Sequence, residues 1–466
     1  MMRAAIDYQA YVADKLSRVA PTGIADADIP HRDSLFPHQV ALTEWAVRRG
    51  RSAIFADTGL GKTRMQLVWA DVVQRYSGRP VLILAPLAVA EQTAGEGAEI
   101  GISVRHCRDG AETAGAPIVI TNYDRLHRFD PSAFGAVVLD ESSCIKHHDA
   151  KTLRTLLEAF RYTTFKLCAT ATPAPNDWTE LGTHAEFLGI CTRAEMLAEF
   201  FTHDGGDTSV WRLKGHARHI FWRWVCQWGA LVRRPSDLGF DDTLYALPPL
   251  HLHDHTVESE IPTSGMLFAV EAQTLSERRS ARRHSIADRV SDCAAIVNAT
   301  QEPWIVWCDL NAEGDALRQA IPGAVEIRGS DDLAAKEQRL ADFSAGRIRV
   351  LITKPSIAGF GLNWQHCARV AFVGVTDSFE AYYQAVRRCW RFGQRRDVHV
   401  HIFASSQEGA VIANLKRKER DAMEMAESLS AETRDAVLDS VVGQVRQTNL
   451  YNPAQRIRLP AFMDAA

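Results

Sequence analysis

Two series of short apolar runs, each alternating with stretches of helical periodicity, constrain this chain more than any other feature. The first comprises Ser52–Ala56, Pro80–Ala85, Pro117–Thr121, Ala136–Asp140 and Lys166–Thr170. The second comprises Trp304–Trp307, Ala324–Ile327, Arg349–Thr353, Val370–Val373 and Val398–Phe403. Runs this short and continuously apolar are strands covered on both faces, and intervening helices make them parallel. The sequence therefore predicts an α/β protein with two tandem sheets, since 466 residues exceed what one hydrophobic core holds.

Only the first series carries a loop for phosphate. Ala56-Asp57-Thr58-Gly59-Leu60-Gly61-Lys62-Thr63 follows an apolar run and opens into residues of helical spacing. Gly59 and Gly61 permit backbone conformations closed to side chains, so the N–H groups of Thr58 to Lys62 can ring phosphates at the positive end of a helix. Lys62 would reach the β- and γ-phosphates of ATP and the Thr63 hydroxyl would hold Mg²⁺. The fit to G-x-x-x-x-G-K-[ST] is complete except for Ala56 in place of the first Gly. A second anchor is Asp140-Glu141-Ser142-Ser143, where an apolar run delivers two carboxylates to the carboxyl edge of a sheet. Asp140 is expected at the metal and Glu141 at the attacking water.

Lys and Arg number 53 against 57 Asp and Glu, a net charge of −4, so any surface for nucleic acid must be a local basic patch. The scattered cysteines form no C-x-x-C pair, which points to reduced thiols and a cytoplasmic location. No apolar run is long enough to span a bilayer, and the start lacks the apolar segment of a secretory signal.

Taken together, Lys62-Thr63, Asp140-Glu141-Ser142-Ser143, Thr170-Ala171-Thr172-Pro173 and Gln384-Ala385-Val386-Arg387-Arg388-Cys389-Trp390-Arg391-Phe392-Gly393-Gln394 occur in the order of the superfamily 2 helicase motifs. The last resembles the Swi/Snf branch, Q-x-x-G-R-x-x-R-x-G-Q. Phe36-Pro37-His38-Gln39, Ala85-Pro86, Thr121-Asn122-Tyr123 and Ala358-Gly359-Phe360-Gly361-Leu362-Asn363 are similar to further motifs of that branch, as are Val232-Arg233-Arg234 and Leu247-Pro248-Pro249. The resemblance covers about residues 35–405. It implies two RecA-like lobes, ATP and Mg²⁺, and action on nucleic acid, with DNA favoured over RNA or a single strand. It also implies a compact phage or bacterial protein. A helicase-fold scaffold without hydrolysis is the rival from another class. Partners in replication, recombination or repair are left unidentified.

Carried over position by position, the resemblance puts Gln39 at the adenine edge and makes Arg388 and Arg391 arginine fingers. Thr170 and Thr172 become coupling residues. Thr121, Tyr123, Gly359, Gly361, Asn363 and Gln394 become candidates along the nucleic-acid path. Two departures stand out: Arg387 replaces the usual Gly and Trp390 the usual His. The first leaves open which neighbouring arginine faces the phosphate.

The expected organisation is a helical segment over 1–30, lobe 1 over 31–190, a helical, aromatic- and Arg-rich insertion over 191–290, lobe 2 over 291–405 and a helical tail over 406–466. Three signals allow two readings each. His251, His253 and His255 share a strand face that is either solvated or metal-binding. Trp222, Trp224 and Trp228 either fill a core or stack on bases. The arginines from Arg278 to Arg289 either form a solvated helix face or follow a DNA backbone.

Overall fold

Both series of apolar runs form parallel sheets flanked by helices. The structure is a computed structural model and describes residues 19–86, 89–146, 150–204, 207–257, 282–358, 363–374, 378–406 and parts of 413–437.

In the first lobe, α1 (Pro37–Arg49) leads into β1 (Arg51–Ala56), α2 (Lys62–Ser77), β2 (Val81–Ala85), α3 (Ala90–Glu99), β3 (Val104–His106) and β4 (Ile118–Asn122). Then follow β5 (Ala136–Asp140), α4 (Lys151–Ala159), β6 (Phe165–Thr170), α5 (Leu181–Leu188), α6 (Arg193–Phe200), the hairpin β7 (Phe201–Asp204) and β8 (Asp207–Leu213), α7 (Arg218–Val225) and β9 (Gly229–Val232). The strand order is β3-β4-β2-β5-β6-β1-β9. Successive residues of a strand point to opposite faces, so Ala53 and Phe55 join one buried cluster while Ile54 and Ala56 join another. That double burial is why these strands read as unbroken apolar runs.

The second lobe begins with β10 (Leu250–Val257), followed by α8 (Ile286–Asn298), β11 (Trp304–Trp307), α9 (Asn311–Ala320), β12 (Val325–Glu326) and α10 (Leu333–Ser344). It continues through β13 (Val350–Thr353), α11 (Pro355–Ala358), β14 (Arg369–Phe372), α12 (Phe379–Val386) and β15 (Val398–Ser405). Its order is β10-β15-β14-β11-β13-β12. The segment expected to be a helical insertion, with His251, His253 and His255 on a strand face, supplies an edge strand to each sheet, β9 to the first and β10 to the second. The chain crosses between lobes through the short stretch between those strands.

Described residues of the tail return to the first lobe. Met425 is buried in its core, Lys418 Nζ donates to Asn176 Oδ1 at 2.9 Å, and the Leu231 N–H on edge strand β9 donates to Thr433 Oγ1 at 3.2 Å. Covering an edge strand in this way removes an open pairing site.

Trp222, Trp224 and Trp228 are buried in the first-lobe core, so the core reading holds and they offer no stacking platform. Within the arginine run, Arg282 and Arg289 fit neither of the two readings offered. Arg282 pairs with Asp309 at 2.7 Å and fully buried Arg289 with Glu313 at 2.9 Å. Glu313 also accepts the Asp309 and Leu310 N–H groups at the start of α9, so the buried charge is fully engaged. Arg283 is exposed, and Arg278 and Arg279 lie outside the described residues.

The histidine row on β10 meets a second row on β15. His253 Nε2 lies 3.0 Å from His399 Nδ1, His255 Nε2 lies 3.0 Å from His401 Nδ1, and His251 pairs with Asp397 at 3.1 Å. Among the described residues no group of three or more His, Cys, Asp or Glu side chains could hold a metal ion. Each His–His bond needs one ring nitrogen as acceptor, so both rings of a pair cannot be protonated. Burial, then His253, His255, Arg369 and His399, push His401 down to about 3. Burial first, with neighbouring rings, also lowers His255 and His399. These folded-state values lie below the unfolded value, so the stability they lend is present above about pH 6.5 and is lost progressively as pH falls from there to the folded value, about 3 for His401. Melting followed by circular dichroism should therefore show a loss of stability in acid that a His253→Gln/His401→Gln variant reduces. His38 and His184, which burial holds at about 4, contribute in the same direction.

Candidate active site

The loop after β1 makes the left-handed turns its glycines foretell, with φ of 90° at Gly59 and 79° at Gly61. A Cβ on Gly59 would lie 2.9 Å from Cβ of Phe392, and one on Gly61 would lie 2.2 Å from Nε2 of Gln39. Gln39 is buried beneath the loop. Its Oε1 accepts from the Phe36 N–H and its Nε2 donates to the Leu60 carbonyl, both at 3.0 Å. The amide expected at an adenine edge therefore braces the loop here. Lys62, the first residue of α2, donates to the Ala56 carbonyl at 2.8 Å and Asp57 carbonyl at 3.4 Å. Burial lowers its pKa against the opposing pull of the Glu141, Asp57 and Asp140 carboxylates. Thr63 follows on the first turn of the same helix.

Strand order explains how distant residues meet. Strand β6 lies between β5 and β1, with Asp140 opposite Ala169 and Phe55 opposite Thr170, so three strand ends form one edge. Asp140 is buried and accepts from Gln66 Nε2 at 2.7 Å. Gln66 stands one helical turn beyond Lys62, on the same face of α2. Burial, then the Glu141 charge, push Asp140 up to about 6, while Gln66 and Lys62 pull the other way. Two carboxylates beside a lysine in a desolvated pocket, under a loop whose glycines leave no room for side chains, suit a divalent cation and a polyphosphate.

Glu141 sits in the left-handed region at φ 50°, ψ 53°. For a non-glycine residue this stores backbone strain. Its carboxylate accepts from Thr170 Oγ1 at 3.2 Å, and that hydroxyl in turn accepts from the Thr172 N–H at 3.1 Å. The Tyr123 hydroxyl donates to the Asp140 carbonyl at 2.7 Å, and Ser142 bonds buried His184 at 3.1 Å.

From the other side of the cleft comes the segment that ends α12. Burial lowers Arg388 to about 10, opposed first by the Glu141 charge. It lowers Arg391 to about 10 as well, and Arg391 in turn depresses Lys62. The guanidinium groups of the second lobe thus act on the carboxylate and lysine of the first. Residues 292–393 match the helicase conserved C-terminal domain. The match takes in strands β11 to β14 and the arginine segment, so the second lobe is similar to that domain. No curated protein matches the chain.

Other candidates are placed differently. Thr121 is fully buried on β4. Gln394 donates to the Cys367 and Cys389 carbonyls and accepts from the Arg395 and Arg396 N–H groups, so its amide is consumed inside the lobe. Asn363 is exposed, and Gly359 and Gly361 lie outside the described residues. Residues given no role in the sequence reading are Gln66, His184, Asp57 and Tyr383. The first could have been found from its i+4 spacing to Lys62; the others depend on contacts that no local pattern announces.

Proposed function

We propose that this protein is an ATP-driven motor acting on nucleic acid, with duplex DNA as its track. The observation that carries this reading is the arrangement of Arg388 and Arg391 on one lobe against Glu141 and Lys62 on the other. Lys62 and the loop N–H groups bind the phosphates; Glu141 orients the attacking water and takes its proton. Thr63 and Asp140 would hold Mg²⁺, which when bound screens phosphate charge. Arg388 and Arg391 meet charge that grows in the transition state, so hydrolysis requires closed lobes. Thr170 and Thr172 link Glu141 to the strand end and so to lobe movement. A tracking motor gains more from phosphate than from base contacts, so no sequence preference is expected. The Swi/Snf-like motifs favour duplex DNA and a compact phage or bacterial protein.

ATPase rates measured with duplex DNA, single-stranded DNA and RNA test the proposal. Duplex DNA should stimulate most, and stimulation should fall with salt as phosphate contacts weaken. Stimulation by RNA alone would reject the choice of track. Absence of hydrolysis with every nucleic acid would favour a scaffold.

A further inference from the structure

Both departures from the Swi/Snf pattern lie in one contact between the lobes. Arg387 is buried, and its Nη2 lies 2.6 Å from Asp57 Oδ2 in the phosphate loop. The same Nη2 donates to the Thr58 carbonyl at 3.1 Å, and Nε donates to the Thr58 hydroxyl. The second Asp57 oxygen accepts from the Tyr383 hydroxyl and from the Thr58 N–H. The guanidinium carbon lies 4.9 Å from the Trp390 ring centroid and 5.7 Å from that of Tyr383. Trp390 in turn donates its indole N–H to the Pro248 carbonyl at 2.8 Å, in the stretch that joins the lobes. Phe392 rests on Gly59, and Lys146 beside the catalytic edge pairs with Glu380 on α12.

A planar fork held between two aromatic faces has little freedom to lose, and a charge pair shielded from water is attractive over this distance. Its partners are side chains of the two lobes, so its closing force does not depend on a nucleotide. Glycine at position 387 could make none of these contacts. We infer that Arg387 is a positioning residue: with Asp57, Tyr383 and Trp390 it latches the second lobe onto the phosphate loop and holds Arg388 and Arg391 over the site before nucleic acid arrives. A two-state equilibrium already biased toward closure leaves nucleic acid less to do. Basal ATPase is accordingly high, and stimulation modest. The consequence for rate rests on the ATPase reading; the latch itself does not.

Two measurements test this. Small-angle X-ray scattering without nucleotide should show a larger radius of gyration for Arg387→Gly and Asp57→Asn than for the wild type, with Arg387→Lys between them. In turnover, Arg387→Gly should lose about tenfold in basal kcat and clearly less in the rate with duplex DNA, so its stimulation ratio rises. A merely structural role would lower the melting temperature and reduce both rates in parallel. Equal scattering of wild type and Arg387→Gly, or an unchanged stimulation ratio, would overturn the latch. If the wild type hydrolyses no ATP, the motor reading falls and the scattering comparison alone upholds or overturns the latch.

Discussion

Glu141→Gln should bind ATP and hydrolyse almost none of it. The amide keeps the size and much of the hydrogen bonding of the carboxylate but cannot take a proton from water, a loss of about 10²–10⁴-fold in turnover. It also removes one of two adjacent negative charges, the one that helps push Asp140 up to about 6, so nucleotide binding should be kept or strengthened. Lys62→Ala should also stop turnover, by a different route. Lys62 is the half-buried cation whose charge offsets Glu141, Asp57 and Asp140, and its removal leaves those carboxylates facing a triphosphate uncompensated. Titration with a fluorescent ATP analogue separates the two: affinity retained in Glu141→Gln and lost in Lys62→Ala. Equal affinities would contradict both assignments.

The second large effect is expected at Arg388 and Arg391. Each change to Ala should lower kcat by about 10³-fold, the scale at which a charge supplied in the transition state acts, with a smaller change in KM. Lysine should not restore the rate, because a compact ammonium cannot reproduce a two-pronged contact with phosphoryl oxygens. Arg388 is buried, so a glutamine variant is needed beside alanine to separate lost packing from lost charge. Loss of substrate affinity with an unchanged maximal rate would move these residues from the reaction to the binding of ground-state nucleotide.

Where the chain is buried on both sides of a sheet, its sequence states the structure openly, as with Ala136–Asp140 and Trp304–Trp307. Strands exposed on one side or very short are harder to read: β10 showed only as the alternating His251, His253 and His255. Leu250–Val257 alternates with histidine because it is an edge, and Val104–His106 has no fully buried residue. The phosphate loop and Asp140-Glu141 were legible because their chemistry is local. Arg387 was visible only as an anomaly: its partners Asp57 and Thr58 belong to the other lobe, and nothing near it in the chain names them. The arginine run misled for the same reason. Charge is printed in the sequence, whereas the burial of Arg289 against Glu313 is a property of the assembled lobe.

The chain that leaves the first lobe after β9 comes back to it beyond β15, with Thr433 bonded to the Leu231 N–H and Met425 set in the first-lobe core. The two halves are therefore joined twice, like a door on a pair of hinges. Swinging open about the line through both attachments strains neither, but a swivel of one half around the axis joining their centres would wind the connections about each other. In the motor proposed here, such a swing would carry Arg388 and Arg391 away from Lys62 and back. A protease that severed the first connection would leave the halves tethered by the second.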